Sequence, residues 1–192
     1  MAVGLSSVYV LQAASSHLYA LGARIEAGIG YPGPALVSVF SGLAGEQSEL
    51  SPYLTAAAAL QSRAFPNFVY DPAAGQDWAE RFSVADNPAV ETAWSEAGVS
   101  FADEELQLQD QVVSFSFLDF VASARRYASH FARLPRDRWH DGMVPAGDYL
   151  AGAGKGNAAA VPYVLMVDGD NRLQRVVVDE RMIGAARRCA DM

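Results

Sequence analysis

A chain of 192 residues, 51% of them hydrophobic, is long enough for one domain, or one domain with an appendage, and is too apolar for global disorder. Its net charge of −8 argues against a nucleic-acid partner, because binding that backbone needs clustered Lys and Arg. The single cysteine, Cys189, excludes an internal disulfide framework and a self-sufficient cysteine-ligated cluster.

The stretch from Val8 to Ser41 reads as strand, loop, helix, turn and strand, a βαβ unit of about thirty residues. The runs VYVL and ALVSVF lack clean alternation, as expected of parallel strands covered on both faces. Between them Leu18, Leu21, Ile25 and Ile29 recur at helical spacing and predict one apolar helix face. Tyr31-Pro32-Gly33-Pro34 then predicts a rigid turn, since proline fixes φ and glycine tolerates conformations closed to other residues. A doubly covered strand starting at Val8 needs sheet neighbours on each side. The expectation is that another polypeptide supplies them, as the rest of a larger chain or as a docked partner.

Gly42 to Pro52 reads as a polar loop. Tyr53 to Arg63 is an alanine-rich helix, with Ser51 as its N-cap and Pro52 at its first position. Phe65 to Tyr70 is a short strand closed by Asp71-Pro72. Ala73 to Gly98 predicts irregular structure with a short helix around Trp78, pinned by Trp78, Phe82 and Trp94. Asp103 to Leu134 reads as one long helix. Leu106, Val113, Phe117, Val121, Ala124, Ala128 and Phe131 form its stripe, Asp103, Glu104 and Glu105 its first turn, and Pro135 its stop. The arginines of its second half are expected on the helix surface. Val144 to Ala160 is a glycine-bearing loop around a short helix. PYVLMV and LQRVVV flank DGDNR as a hairpin, and Arg181 to Cys189 closes the chain as a helix. The absence of an internal repeat excludes a solenoid.

Three strings invite chemical readings and fail them. Gly152 to Gly156 (GAGKG) lacks a phosphate loop's first glycine, because Tyr149 stands there, and Gly156 replaces the magnesium-binding Ser or Thr. Asp168-Gly169-Asp170-Asn171 fails as a calcium loop, since Leu173 occupies the glycine position. His17, His130 and His140 have no zinc-ligand spacing. His17 is nevertheless the best-placed polar residue, beside Ser15 and Ser16 at the carboxyl end of a parallel strand, where α/β sheets take ligands. A capping or surface role is its default reading.

Tyr9-Val10-Leu11-Gln12, the small-residue loop Ala13 to Ser16, Tyr31-Pro32-Gly33-Pro34 and the strand Ala35 to Phe40 resemble the thiamine-diphosphate domain of pyruvate:ferredoxin (flavodoxin) oxidoreductases. That family follows a "YVAQ" strand with a helix and a "YPGPS" turn. Ala56 to Pro72 is similar to its helix and aromatic "YRYDP" strand, and Leu118 to Pro135 to its C-terminal helix. The three ordered matches reach across about two thirds of the chain, and residues 151–192 lie outside them. The resemblance implies an α/β fold with a partial thiamine-diphosphate-binding-type parallel sheet and flanking helices, followed by the long helix and a terminal β-hairpin plus helix. It divides the chain into 1–98, the distal part of the thiamine-type domain; 99–143, a helical segment; and 144–192, a loop, hairpin and helix appendage. It implies a parent reaction, the oxidative decarboxylation of pyruvate or a related 2-oxoacid to an acyl-CoA, with thiamine diphosphate, Mg²⁺ and 4Fe-4S clusters in the complete enzyme.

Two departures accompany it. A cluster cysteine of the family aligns with Leu43, which cannot ligate iron. The Gly-Asp-Gly loop and downstream asparagine that hold Mg²⁺ and diphosphate belong upstream of the Val8 strand and are absent. The expectation is therefore a fragment or split subunit that holds no cofactor alone and carries no catalytic, cofactor-binding or metal residue. Its expected partners are the remaining thiamine-domain polypeptide, other subunits of the complex, or a second copy of itself. A degenerate assembly or regulatory module is the alternative, and a generic α/β binding protein a third account. With no secretory leader and no apolar run of bilayer length, the expected setting is cytoplasmic, away from membranes.

Overall fold

The computed structural model describes residues 7–42, 50–153 and 160–191. Contacts divide the chain into two compact units, Met1–Glu91 and Thr92–Met192. The break between them falls at Glu91/Thr92.

In the first unit β1 (Tyr9–Ala14), α1 (Gly22–Gly30) and β2 (Ala35–Phe40) form the predicted crossover. The two strands pair in parallel from Tyr9↔Ala35 to Ala14↔Phe40. The turn between helix and second strand is tied back to the start of β1: Tyr9 N–H donates to Pro34 O at 2.9 Å and the Tyr31 hydroxyl to Ser7 O at 3.0 Å. Gly33 is required there because a Cβ would meet the Tyr31 ring at 2.7 Å. Tyr9, Leu11 and Ala13 of β1 pack with Leu18, Leu21 and Ile25. Val8 and Val10 pack on the other face with Tyr70, Phe68 and Phe82.

Two expectations for this unit are corrected. The sheet is mixed, in the order β2-β1-β3-β4: β3 (Phe68–Tyr70) and β4 (Phe82–Ser83) add antiparallel strands. And β2 is not covered on both faces. It sits at the end of the sheet, and Leu36, Val37 and Val39 remain 46%, 47% and 42% exposed. The apolar face of α1 is spent on β1, and Ile29, one turn beyond, is exposed. α2 (Pro52–Gln61) begins as predicted, with Ser51 Oγ accepting Leu54 N–H. The short helix around Trp78 is α3 (Trp78–Arg81), where Trp78 stacks on Phe82 at 4.7 Å.

The second unit contains the largest correction. No long helix spans Asp103 to Leu134, and the segment 99–143 is a mixture of strands and short helical turns rather than one helical segment. Its first part is the end of β5 (Ser95–Ala102) and all of β6 (Leu108–Phe115), an antiparallel hairpin registered from Ser95↔Phe115 to Ala102↔Leu108. The acidic trio is the hairpin turn rather than a helix start. Asp103 Oδ1 accepts the Glu105 and Gln107 N–H groups, Oδ2 accepts Gln109 Nε2, and Leu106 takes a φ of 60°. These hydrogen bonds hold the Asp103 carboxyl below its ordinary range, led by the one from Gln109. Only α4 (Phe117–Ala122) is α-helical. Arg125–His130 is a 3-10 turn, and Phe131–Leu134 is strand β7, so Pro135 ends a strand. The physical reason is that Leu108 to Phe115 contains adjacent β-branched valines and an Asx turn before them, and both favour a ladder over a helix.

β8 (Met143–Pro145), α5 (Ala146–Ala151), β9 (Val161–Val167), β10 (Leu173–Val178) and α6 (Glu180–Ala190) complete the unit. The sheet order is β7-β10-β9-β8, with only the β8–β9 pair parallel. The predicted hairpin across DGDNR and the closing helix are both present. Val164 and Val176 face α4 and α6 in a core with Leu118, Ile183 and Ala186. On the opposite face Arg175 lies between the rings of Trp139 and Tyr163, at 4.5 and 4.7 Å, a stacked cation that covers apolar surface as well as carrying charge.

Candidate functional site

The carboxyl end of β1 organises the most elaborate polar network of the first unit. After Ala14 the chain turns through Ser15–His17. Asn67, fully buried ahead of β3, ties this turn to the loop after β4. Its Oδ1 accepts Ala14 N–H at 3.0 Å, and its Nδ2 donates to Asp86 O at 3.1 Å and lies 3.3 Å from His17 Nδ1. Its backbone N–H donates to Asn87 Oδ1 at 2.7 Å, and Asn87 Nδ2 returns a bond to Asn67 O. Because Asn67 Oδ1 is fixed as the acceptor for Ala14, Nδ2 is the donor and His17 Nδ1 must accept; the network assigns the proton of the neutral ring to Nε2.

A cleft of about 430 Å³ opens beside this network. Ser16 and His17, Asp86 and Pro88 of the loop after β4, and Ala57 and Leu60 of α2 line it. Asp86 Oδ2 is 3.2 Å from Arg24 Nε, a largely solvated pair of modest energetic weight. His17 thus stands where its position after β1 predicted, held by Asn67 and lining a cleft. Ser16, Asn67 and Asp86 were not singled out from sequence. An asparagine just after Pro66 in an otherwise apolar strand approach is the one local signal that pointed there.

A second, smaller cleft of about 160 Å³ lies in the other unit, where Glu96, Asp119 and Asp148 line it together with Ser114 and Tyr163. Burial pushes the Asp119 carboxyl above its ordinary value, against hydrogen bonds from the Ser116 hydroxyl and backbone N–H. Those bonds make Ser116 and Asp119 a capping box for α4, which gives the residue a structural role. Gly147 approaches Ser114 so closely that a Cβ would lie 2.6 Å from the serine Cβ.

Two of the described donor groups are poorly suited to a metal ion. Cys189 is half-buried in α6, and burial raises its thiol above the ordinary value, the opposite of what a metal ligand needs. The Gly169-Asp170 string lies in the β9–β10 turn, where Asp168 is already used by Asp170 N–H, Arg172 N–H and Gln174 Nε2. Among the described residues no group of three or more His, Cys, Asp or Glu is placed to hold a metal ion, and no helix is long and apolar enough to cross a membrane. Leu43 and most of the GAGKG string lie outside the described residues. No protein-family model, curated protein or solved structure matches the chain.

Proposed function

We propose that the chain is a C-terminal part, or split subunit, of a 2-oxoacid:acceptor oxidoreductase-like thiamine enzyme. It would supply sheet, cavity wall and subunit contacts to a partner polypeptide that carries the reactive groups. The observation that carries this reading is β2. It forms the crossover that the YVLQ…YPGP resemblance implies, yet it leaves Leu36, Val37 and Val39 exposed at the end of its sheet. A strand apolar on both faces is the composition of an interior parallel strand, and an uncharged edge is the kind that pairs with another chain.

In the parent chemistry the thiamine ylid stabilises the carbanion and the protein positions it. No step is assigned to residues of this chain. Leu43, at the aligned cluster-cysteine position, favours a second reading, a degenerate assembly module that keeps the fold without electron transfer.

Native copurification separates the readings. Recovery with a polypeptide bearing the Gly-Asp-Gly motif, together with bound thiamine and iron, supports the split enzyme. Recovery with a partner but without thiamine or iron supports the assembly module. A monodisperse chain with no partner overturns both. The isolated chain should neither bind thiamine diphosphate tightly nor decarboxylate pyruvate; micromolar binding by calorimetry, or turnover with an artificial acceptor, refutes that assignment.

A further inference from the structure

We propose that Asp141–Gly142, in the turn leading into β8, is a modification site where aspartate converts to isoaspartate through a succinimide, with His140 as the base. The turn is closed by Met143 N–H, which donates to His140 O at 3.1 Å. Within it Gly142 N–H donates to His140 Nδ1, also at 3.1 Å. Nδ1 is therefore the acceptor, and the proton of the neutral ring sits on Nε2. A base must stand about 2.6–3.2 Å from the atom whose proton it takes, and Nδ1 does. The electrophile is the neighbouring side chain: attack of Gly142 N on Asp141 Cγ closes a five-membered ring. Glycine presents no Cβ to hinder that approach. His140 and Asp141 are both exposed, so water reaches the ring once it has formed.

The step balances without an added reagent. His140 Nδ1 takes the Gly142 proton as the N–Cγ bond forms, and the carboxyl hydroxyl leaves with that proton as water. Water then adds to either ring carbonyl. Opening at Cγ restores aspartate, whereas opening at the main-chain carbonyl leaves the backbone running through Cγ, one methylene longer. The other Asp–Gly pair of the chain, Asp168–Gly169, is the internal contrast. Asp168 Oδ1 accepts the Asp170 and Arg172 N–H groups at 3.0 and 2.9 Å, and Oδ2 accepts Gln174 Nε2 at 2.8 Å. These bonds, led by the one from Arg172, hold the Asp168 carboxyl below its ordinary range. It is kept as an anchored anion, a poor electrophile because hydroxide must leave protonated.

The test is ageing of the full-length chain at neutral pH in H₂¹⁸O, followed by peptide mapping. At neutral pH the label enters an aspartate when a succinimide opens. Label and an isobaric isoaspartyl peptide at Asp141, with neither at Asp168, support the proposal. His140→Gln keeps a side-chain acceptor in the turn but supplies no base. It should slow labelling at Asp141 by roughly tenfold, less than the about 10²–10⁴-fold of a fully positioned enzyme base. Asp141→Glu, whose ring would need six members, should take up no label there. In urea the parent chain loses the turn and the Asp168 anchors, so the contrast between the two sites should narrow. That arm requires no variant to fold. Absence of label at Asp141 overturns the proposal, as does equal labelling of the two sites in the folded chain. A His140→Gln rate equal to the parent's, or a contrast that persists unchanged in urea, overturns it too.

Discussion

Asn67→Ala is the sharpest perturbation of the first unit. The side chain is 1% exposed, so no water replaces what it provides. Its loss leaves the Ala14 N–H, previously bonded at 3.0 Å, buried and unpaired. A buried donor stripped of its partner costs about 1–3 kcal/mol. The Asp86 carbonyl also loses its donor at 3.1 Å, and the vacated volume adds a small cavity cost. Together these give roughly 2–4 kcal/mol, a large share of a domain's total stability. With a urea dependence of about 1–3 kcal/mol per molar, the unfolding midpoint of the first unit should fall by roughly 1–2 M. Amide exchange locates the effect. Ala14 should lose protection relative to Leu11, which lies three residues earlier in β1. A midpoint within experimental error of the parent chain, with Ala14 still protected, would refute the hub role of Asn67.

Gly28→Ala, which would ordinarily gain about 1 kcal/mol of helix propensity, should instead destabilise by roughly 1–2 kcal/mol in a thermal melt. Its Cβ would stand 2.8 Å from the ring of Tyr9, which is buried and anchored by its hydroxyl to Arg24 O at 2.6 Å. Leu118→Ala should cost about 2–5 kcal/mol, because Leu118 is fully buried among Val164, Val176 and Ile183; a smaller denaturation shift would mean that the site collapses on the cavity. Asp119 has its folded-state pKa raised by burial, so its stabilising contribution is complete below the ordinary carboxylate value and is lost as pH rises through the elevated one. Asp119→Asn keeps an acceptor for Ser116 and should flatten the stability profile across that window. A profile identical to the parent's would rule out Asp119 as its source. Asp179 has the opposite sign. The His130 bond at 2.6 Å and the Met182 N–H lower it, so its contribution is lost on acidification, and Asp179→Asn should remove that acid-sensitive step in a pH-jump unfolding series.

What was legible in the sequence follows the range of the forces involved. The βαβ crossover, the Ser51-Pro52 helix start, the DGDNR hairpin and the closing helix are each specified by residues a few positions apart, and each is present. The Asp103–Leu134 helix failed because its apolar residues satisfy a helical count, while the Asx turn at Asp103 and the pairing of Ala97 with Val113 require the preceding strand to be recognised first. The antiparallel additions of β3 and β4 could not be read because strand direction depends on long-range partners. His17 was visible from its place after β1. Ser16, Asn67 and Asp86 were not, since the network joins residues some fifty and twenty positions apart.

The exposed β2 and the buried Asn67 network bear on one another. The network fixes one end of β1 independently of β2, because its bonds run to the β3 approach and the loop after β4 rather than across the parallel pair. β1 is therefore held by β3 on one side and capped by Asn67 at its end, and among the described residues β2 has β1 as its one strand neighbour. A strand in that position contributes its backbone ladder to β1 and little burial of its own, although Leu36, Val37 and Val39 are the residue types that gain most from being covered. A further strand or helix lying against β2 would bury apolar surface that is exposed in this structure. The cleft beside Ser16 is lined by residues of this unit, none of them in β2, so covering β2 would leave its walls unchanged.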